Sequence, residues 1–202
     1  MATVTQIMTQ AISYVKGPTT FATAEEVRIA NEVQSIVSGA YRWHWLATAG
    51  TNIAVSSGTQ AYTMAAGDQD KVLAIMDANL LSGSTQLPSL SVWSDPIVPL
   101  SSTTGQPIAV SMTSTTAIRL WPTPGATYTF QWRYYARPVI FTTNAESFQC
   151  PGAFDAVIKL GMAWHVLVWA DDTRADGFKN DFYLELARLI ELEKQLVERD
   201  RR

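Results

Sequence analysis

Residues 151–170 read PGAFDAVIKLGMAWHVLVWA, and this stretch decides how the rest of the chain is organised. Pro151 suits a helix start, because its fixed φ fits the first turn and its missing N–H would be unsatisfied there anyway. From Phe154 to Ala170 apolar side chains fall on nearly every side: Phe154, Val157, Ile158, Leu160, Met162, Trp164, Val166, Leu167, Val168 and Trp169. A helix of that kind is expected in the centre of a fold, buried on most faces. It needs other helices around it, and the sequence supplies them on both sides.

After the polar break Asp171-Asp172-Thr-Arg-Ala-Asp-Gly177, a charged helix over about 178–199 carries Phe182, Leu186, Leu189, Ile190, Leu196 and Val197 along one side. Glu193 interrupts that stripe. Glu185 and Glu191 stand three residues before Arg188 and Lys194, a spacing that lets them pair along the helix. At the other end of the chain, Val4, Ile7, Met8, Ala11, Ile12 and Val15 recur at three and four residues and predict a helix over about 3–16, stopped by Gly17-Pro18. Thr23-Ala-Glu-Glu26 fits a capping box. The helix that it opens is expected to run over 23–47 and to close on the rings of Tyr41, Trp43 and Trp45.

Between these helical halves the texture changes. Short β-rich runs, 60–66, 71–79, 87–94, 107–112, 117–121 and 127–136, are punctuated by Ser, Thr, Gly and Pro. In Tyr128-Thr-Phe-Gln-Trp-Arg-Tyr134 the aromatics alternate, which gives a strand with one buried aromatic face. Trp121-Pro-Thr-Pro-Gly125 reads as a turn. The expected fold is therefore α+β: a helical bundle built from 1–49 and 150–202, interrupted by an antiparallel β-sandwich or barrel over 50–149.

Composition limits what such a chain does. The sequence is 47% hydrophobic and only 16% charged, and its net charge is −3. The charged share lies well below the globular norm of roughly 25%, which a Ser/Thr-rich surface or burial against other protein would each explain. No segment is basic enough to neutralise a run of phosphates, so sequence-independent DNA binding is not expected. Cys150, the only cysteine, excludes an internal disulfide and a multi-thiolate zinc site. Residues 1–17 lack the basic start of a signal peptide, and no uninterrupted run of about 18 apolar residues is present, so no membrane partner is expected.

No nucleotide-binding glycine loop, nucleophile elbow or metalloprotease motif occurs. His44 lies between two tryptophans and His165 in the most apolar helix, and both read as structural. Asp171, Asp172 and Asp176 lack the spacing and terminal glutamate of a calcium loop, and read as a solvated turn. Asp68-Gln-Asp70 reads as a turn between strands. No catalytic residue, cofactor or metal is expected. Of the seven tryptophans, Trp93, Trp121 and Trp132 would form a stacking platform if the β region bound a ligand or carbohydrate on a helical stalk. Arg199, Arg201 and Arg202, which can pair bidentately with carboxylates, are the residues expected to meet a partner, with Trp43 and Trp45.

Several phrases carry a resemblance. Tyr41-Arg-Trp-His-Trp45 at a helix end, Ala117-Ile-Arg-Leu-Trp-Pro-Thr-Pro124, Tyr128–Tyr135 before Arg137-Pro138, and Pro151-Gly-Ala-Phe154 opening a buried helix resemble the head–tail adaptor proteins of tailed phages, including the tail tubular protein A type. The resemblance implies a virion protein, assembled in the host cytoplasm into a ring that is commonly dodecameric. That ring would dock under the portal at the head–tail junction, continue the channel for double-stranded DNA and present its far side to the next tail or nozzle protein. Another virion component, such as a head-completion or minor tail protein, has the same helical-plus-β logic.

Overall fold

The computed structural model describes residues 2–15, 20–93 and 103–200. The Gly17-Pro18 stop and Ser94 lie outside the described residues. The chain divides into two units, one formed by Met1–Trp45 with Pro138–Arg202 and the other by Leu46–Arg137.

The first unit holds four helices: α1 (Val4–Ile12), α2 (Thr23–Ala40), α3 (Asp155–Trp169) and α4 (Ala175–Asp200). The capping box forms at α1 rather than at α2. Thr3 accepts from the Gln6 N–H at 3.2 Å, and the Gln6 side chain accepts from the Thr3 N–H at 2.9 Å. At α2 the N-cap is Ala22, with no side-chain cap, and the Glu26 carboxylate instead accepts from Asn144 Nδ2 at 2.7 Å. Helix α2 also ends at Ala40, seven residues before the expected 47, because Tyr41 is extended. Trp43 then turns inward and its indole N–H donates to the Val37 carbonyl at 2.6 Å, which uses one of the carbonyls left open at the helix end.

Helix α3 is central, touching α1, α2 and α4. Val157, Ile158, Gly161, Met162, Ala163, Val166 and Leu167 are buried, while Val168 and Trp169 are exposed. It is thus buried on the faces that meet other helices and open at its end. Gly161 marks the closest approach: a Cβ there would stand 2.8 Å from Val33 and 2.9 Å from the Phe182 ring. By length and composition Gly152–Trp169 is apolar enough to cross a membrane, with mean hydropathy 1.2. This differs from the expectation that no run of about 18 apolar residues exists; the window passes with Asp155 and Lys159 inside it. Packing against three helices accounts for the apolarity.

Residues 138–149, expected in the β region, belong to the helical unit. They strap α1 and α2. Val4 N donates to the Glu146 carbonyl and Thr5 N to the Asn144 carbonyl, each at 3.0 Å. Asn31 exchanges two hydrogen bonds with Phe141, and Gln34 Nε2 donates to the Val139 carbonyl at 2.8 Å.

The second unit is a set of mostly antiparallel sheets. Its strands are β1 (Ala47–Ala49), β2 (Ile53–Val55), β3 (Ala61–Thr63), β4 (Val72–Ser82), β5 (Thr85–Gln86), β6 (Ser91–Trp93), β7 (Thr104–Gly105), β8 (Ala109–Ser114), β9 (Ala117–Trp121), β10 (Thr123–Pro124) and β11 (Tyr128–Ala136). Strand β11 pairs with β4 along one edge and with β1 and β2 along the other, and β5 extends β4. A second sheet runs β3-β9-β8-β6. Two pairs, β6 with β8 and β7 with β10, are parallel, so the region is not wholly antiparallel as expected. The segment read as a turn after Trp121 contains a cis Trp121–Pro122 bond and the short strand β10.

Both larger sheets feed one apolar core, with Phe130, Trp132 and Tyr134 from β11, Leu80 from β4, and Ile118 and Leu120 from β9. The alternation read in residues 128–134 is therefore the core face of β11. Asp68 is buried at 7% exposure beside this core. Its carboxylate accepts from Thr51 N at 2.8 Å and from the Tyr134 hydroxyl at 3.1 Å, which satisfies a charge that would otherwise be costly to bury. Burial, and then the neighbouring Asp68, push the Tyr134 hydroxyl up to about 12.

Candidate functional site

The residues expected to meet partners are brought to different places. Trp43 is fully buried, with Phe154 edge-on at 4.9 Å and Tyr41 at 5.3 Å. It is a core residue of the helical unit. Trp45 is half-buried, stands edge-on to the same Phe154 ring at 5.7 Å, and its shielded Nε1 has no hydrogen-bond partner among the described residues. Arg199 is exposed in the last turn of α4. Arg201 and Arg202 lie outside the described residues.

Helix α4 connects these features. Its 26 residues span about 39 Å at 1.5 Å per residue, against about 23 Å for the 15 residues of α3. Phe182, Leu186 and Leu189 are buried. Glu193, which breaks the apolar stripe, accepts from the His44 N–H at 2.7 Å and so ties α4 to the aromatic segment where the chain leaves the helical unit. The sequence flags Glu193 as an anomaly, but its partner is 149 residues away and carries no local signal. The same helix leaves large apolar side chains in solvent: Leu184, Leu192 and Leu196 are 73%, 42% and 49% exposed.

A trough of about 520 Å³ runs between α2 and α4. Ser35, Ile36, Gly39 and Ala40 line it from α2, and Tyr183, Leu186, Ala187 and Ile190 from α4. Small residues predominate on the α2 wall, so the trough is wide enough there for another side chain.

The two histidines sit as helix-end and seam residues. The His44 backbone is held by Glu193. His165 Nδ1 stands 3.5 Å from the Glu32 carboxylate, which Arg28 also holds, while its buried Nε2 has no partner among the described residues. Burial lowers the imidazole below its ordinary value; Glu32 opposes this and Arg28 adds to it. A group depressed in the folded state gives stability that is present above the unfolded value and lost as pH falls through the folded one. Denaturation midpoints are therefore expected to decline from pH 7.5 towards 5.5. His165→Gln is expected to flatten that decline, and an unchanged slope in this variant would assign it to other groups.

Among the described residues no group of three or more His, Cys, Asp or Glu is placed to hold a metal ion. The Asp171–Gly177 break is an ion-paired turn, in which Asp172 accepts from the Arg174 backbone and guanidinium at 2.9 Å. Cys150 is buried, and burial pushes its thiol up to about 11, far from a reactive thiolate. In the β unit Trp132 is 3% exposed and donates to the Thr51 carbonyl, so it is core rather than platform. Trp93 and Trp121 do form a partly exposed pair, with centroids 5.6 Å apart and planes tilted by 33°.

Among the described residues the chain is α+β, with four α-helices, sheets between them in sequence, and several exposed large apolar side chains on α4. The model of the SU10 adaptor protein family matches residues 2–202. The chain belongs to this family of phage head–tail adaptors. No curated protein matches it. As an adaptor it is a structural component of a phage virion, which associates with other head or tail proteins.

Proposed function

We propose that this adaptor is a non-catalytic ring subunit, commonly twelve to a ring as the resemblance implies, that joins the portal to the next tail component and continues the DNA channel. In this reading the four helices act as one bundle that carries the docking surfaces. The observation that carries it is α4: it outruns the helix it packs on and holds Leu192, Leu196 and Arg199 in solvent. Apolar side chains interleaved with arginine are the composition of a protein interface rather than of a solvated helix end. The placement of His165 within α3, beside the Arg28-held Glu32, supports the non-catalytic part of the reading. A net charge of −3 suits a channel past which DNA slides.

Light scattering of the purified chain, alone and with portal rings from the same phage, tests this. A stoichiometric complex with the portal is expected. A chain that stays monomeric with every virion component overturns the ring reading.

Removing residues 199–202 is expected to leave the melting temperature unchanged, because Arg199 is exposed in the last turn of α4. The truncated chain is expected to bind portal rings at least tenfold more weakly, and wild-type binding is expected to decline with salt. Unchanged portal affinity in the truncation would remove these arginines from the interface.

A further inference from the structure

We propose that the outer face of the β3-β9-β8-β6 sheet, at Trp93 and Trp121, docks a proline-rich extended segment of another virion protein. This contact is additional to the docking surface on α4, and it stands whether or not the chain closes a ring.

Register and alternation build the face. Successive side chains on a strand point to opposite sides of the sheet. Ile118 and Leu120 of β9 and Val110 of β8 enter the core, so Arg119, Trp121, Ala109 and Ser111 point the other way. Trp93 of β6 stands opposite Ser111, and Trp121 opposite Ala109. The two tryptophans therefore rise from the strands on either side of β8, which are roughly 9–10 Å apart. Their ring centroids are only 5.6 Å apart. They lean together over β8, whose outward side chains there, Ala109 and Ser111, are small and 0% exposed.

Hydrogen bonding shows what this face lacks. Two core tryptophans give their indole N–H to a backbone carbonyl, Trp43 to Val37 and Trp132 to Thr51. Neither Trp93 nor Trp121 donates from its ring to any described residue, and Trp93 is 36% exposed. On the same face the Ser111 hydroxyl is buried with no partner among the described residues. Three polar groups at one aromatic pair are thus unmatched. Two are donors only, and the third, a hydroxyl, donates or accepts.

That set selects the occupant. Ser91, Trp93, Ala109, Ser111, Arg119 and Trp121 share the face, and none of them is a carboxylate or an amide. A saccharide brings an O–H donor with every hydroxyl and calls for such acceptors. A proline-rich segment brings the converse: flat apolar rings to lie on the indoles, carbonyls to accept from them, and no N–H at proline to satisfy. Its polyproline II conformation is already formed before binding, so little order is lost on docking.

Proton–nitrogen correlation spectra of the full-length chain read the contact, because each indole N–H gives its own signal. The probe is a polyproline peptide of about nine residues, three turns of its helix, added to about 1 mM. Trp93→Phe and Trp121→Phe assign the two signals by their loss. Both signals are expected to shift on titration, while those of the buried Trp43 and Trp132 stay in place. Trp93→Ala, on the edge strand of its sheet, is expected to keep the fold and to bind at least tenfold more weakly. Trp93→Phe keeps an aromatic ring and removes only the donor, so it serves if the alanine variant unfolds; its binding is expected to fall at least threefold. Signals of Trp93 and Trp121 that do not move with polyproline overturn the proposal, as does parent affinity in both Trp93 variants. Equal shifts with a Gly-Ser peptide of the same length overturn it by showing no preference for proline. Shifts with maltoheptaose and none with polyproline also overturn it, and assign the pair to a saccharide.

Discussion

Trp43→Ala is expected to destabilise the helical unit by about 3–5 kcal/mol, the usual cost of removing a fully buried large aromatic. The indole is 0% exposed, meets Phe154 and Tyr41 edge-on, and donates to the Val37 carbonyl at the end of α2. Its loss opens a cavity and leaves that carbonyl without its donor. Trp169→Ala is the control: that ring is 56% exposed and meets only the Phe21 ring, at 4.7 Å, among the described aromatics, so its removal is expected to cost about 1 kcal/mol. Chemical denaturation of the two variants separates a core role from a docking role. If Trp43→Ala unfolds like the parent and only portal binding falls, Trp43 acts at an interface.

Gly50→Ala is expected to be the most damaging conservative change in the β unit. A Cβ at residue 50 would lie 2.2 Å from Cε2 of Trp132 and 2.4 Å from its Nε1. The ring has no room to retreat. Its N–H donates to the Thr51 carbonyl at 3.0 Å, Gly50 N donates to the Trp132 carbonyl at 3.0 Å, and Phe130 and Tyr134 stand on either side along β11. Overpacking of this kind costs about 1–3 kcal/mol, and a contact this short belongs at the upper end. Trp132 fluorescence is expected to shift as the ring is displaced. A Gly50→Ala chain with the parent's melting temperature and spectrum would show that the ring yields freely. Gly39→Ala, where the Cβ meets open space, is expected to cost nothing and to gain about 1 kcal/mol in helix propensity.

The order helix–helix, β region, helix–helix was legible because each part has its own period. The alternating rings of 128–134 and the three-to-four spacing of 182–189 each point to one partner face, and both faces are buried. What was not legible depends on side chains far away in the chain. Residues 138–149 contain nothing that distinguishes a β loop from a strap on α2, since the deciding groups are Asn31, Gln34 and Glu26. Two segments, Thr3–Gln6 and Thr23–Glu26, fit the capping template equally, and the strap decides between them because Asn144 engages Glu26. Aromatic density likewise reads the same in a core and at an interface. Tyr41-Arg-Trp-His-Trp45 marked the right place, but the inward turn of Trp43 follows from the Val37 carbonyl and the Phe154 ring. The trough has no sequence signature, because small residues at 35, 39 and 40 look like ordinary helix surface.

The strap at 138–149 also sets an order of events during synthesis. Helices α1 and α2 leave the ribosome first, yet their partners Phe141, Val139 and α3 come more than 100 residues later. At about 5–20 residues per second, the early helices wait on the order of ten seconds with an apolar face unpartnered. Over the same interval residues 46–137 receive their whole core, because every strand that feeds it lies within that stretch. The β unit is therefore complete before the helical unit can close. A chain truncated near residue 140 and released from the ribosome is expected to expose α1 and α2 to chaperones and proteases while its sheets are protected.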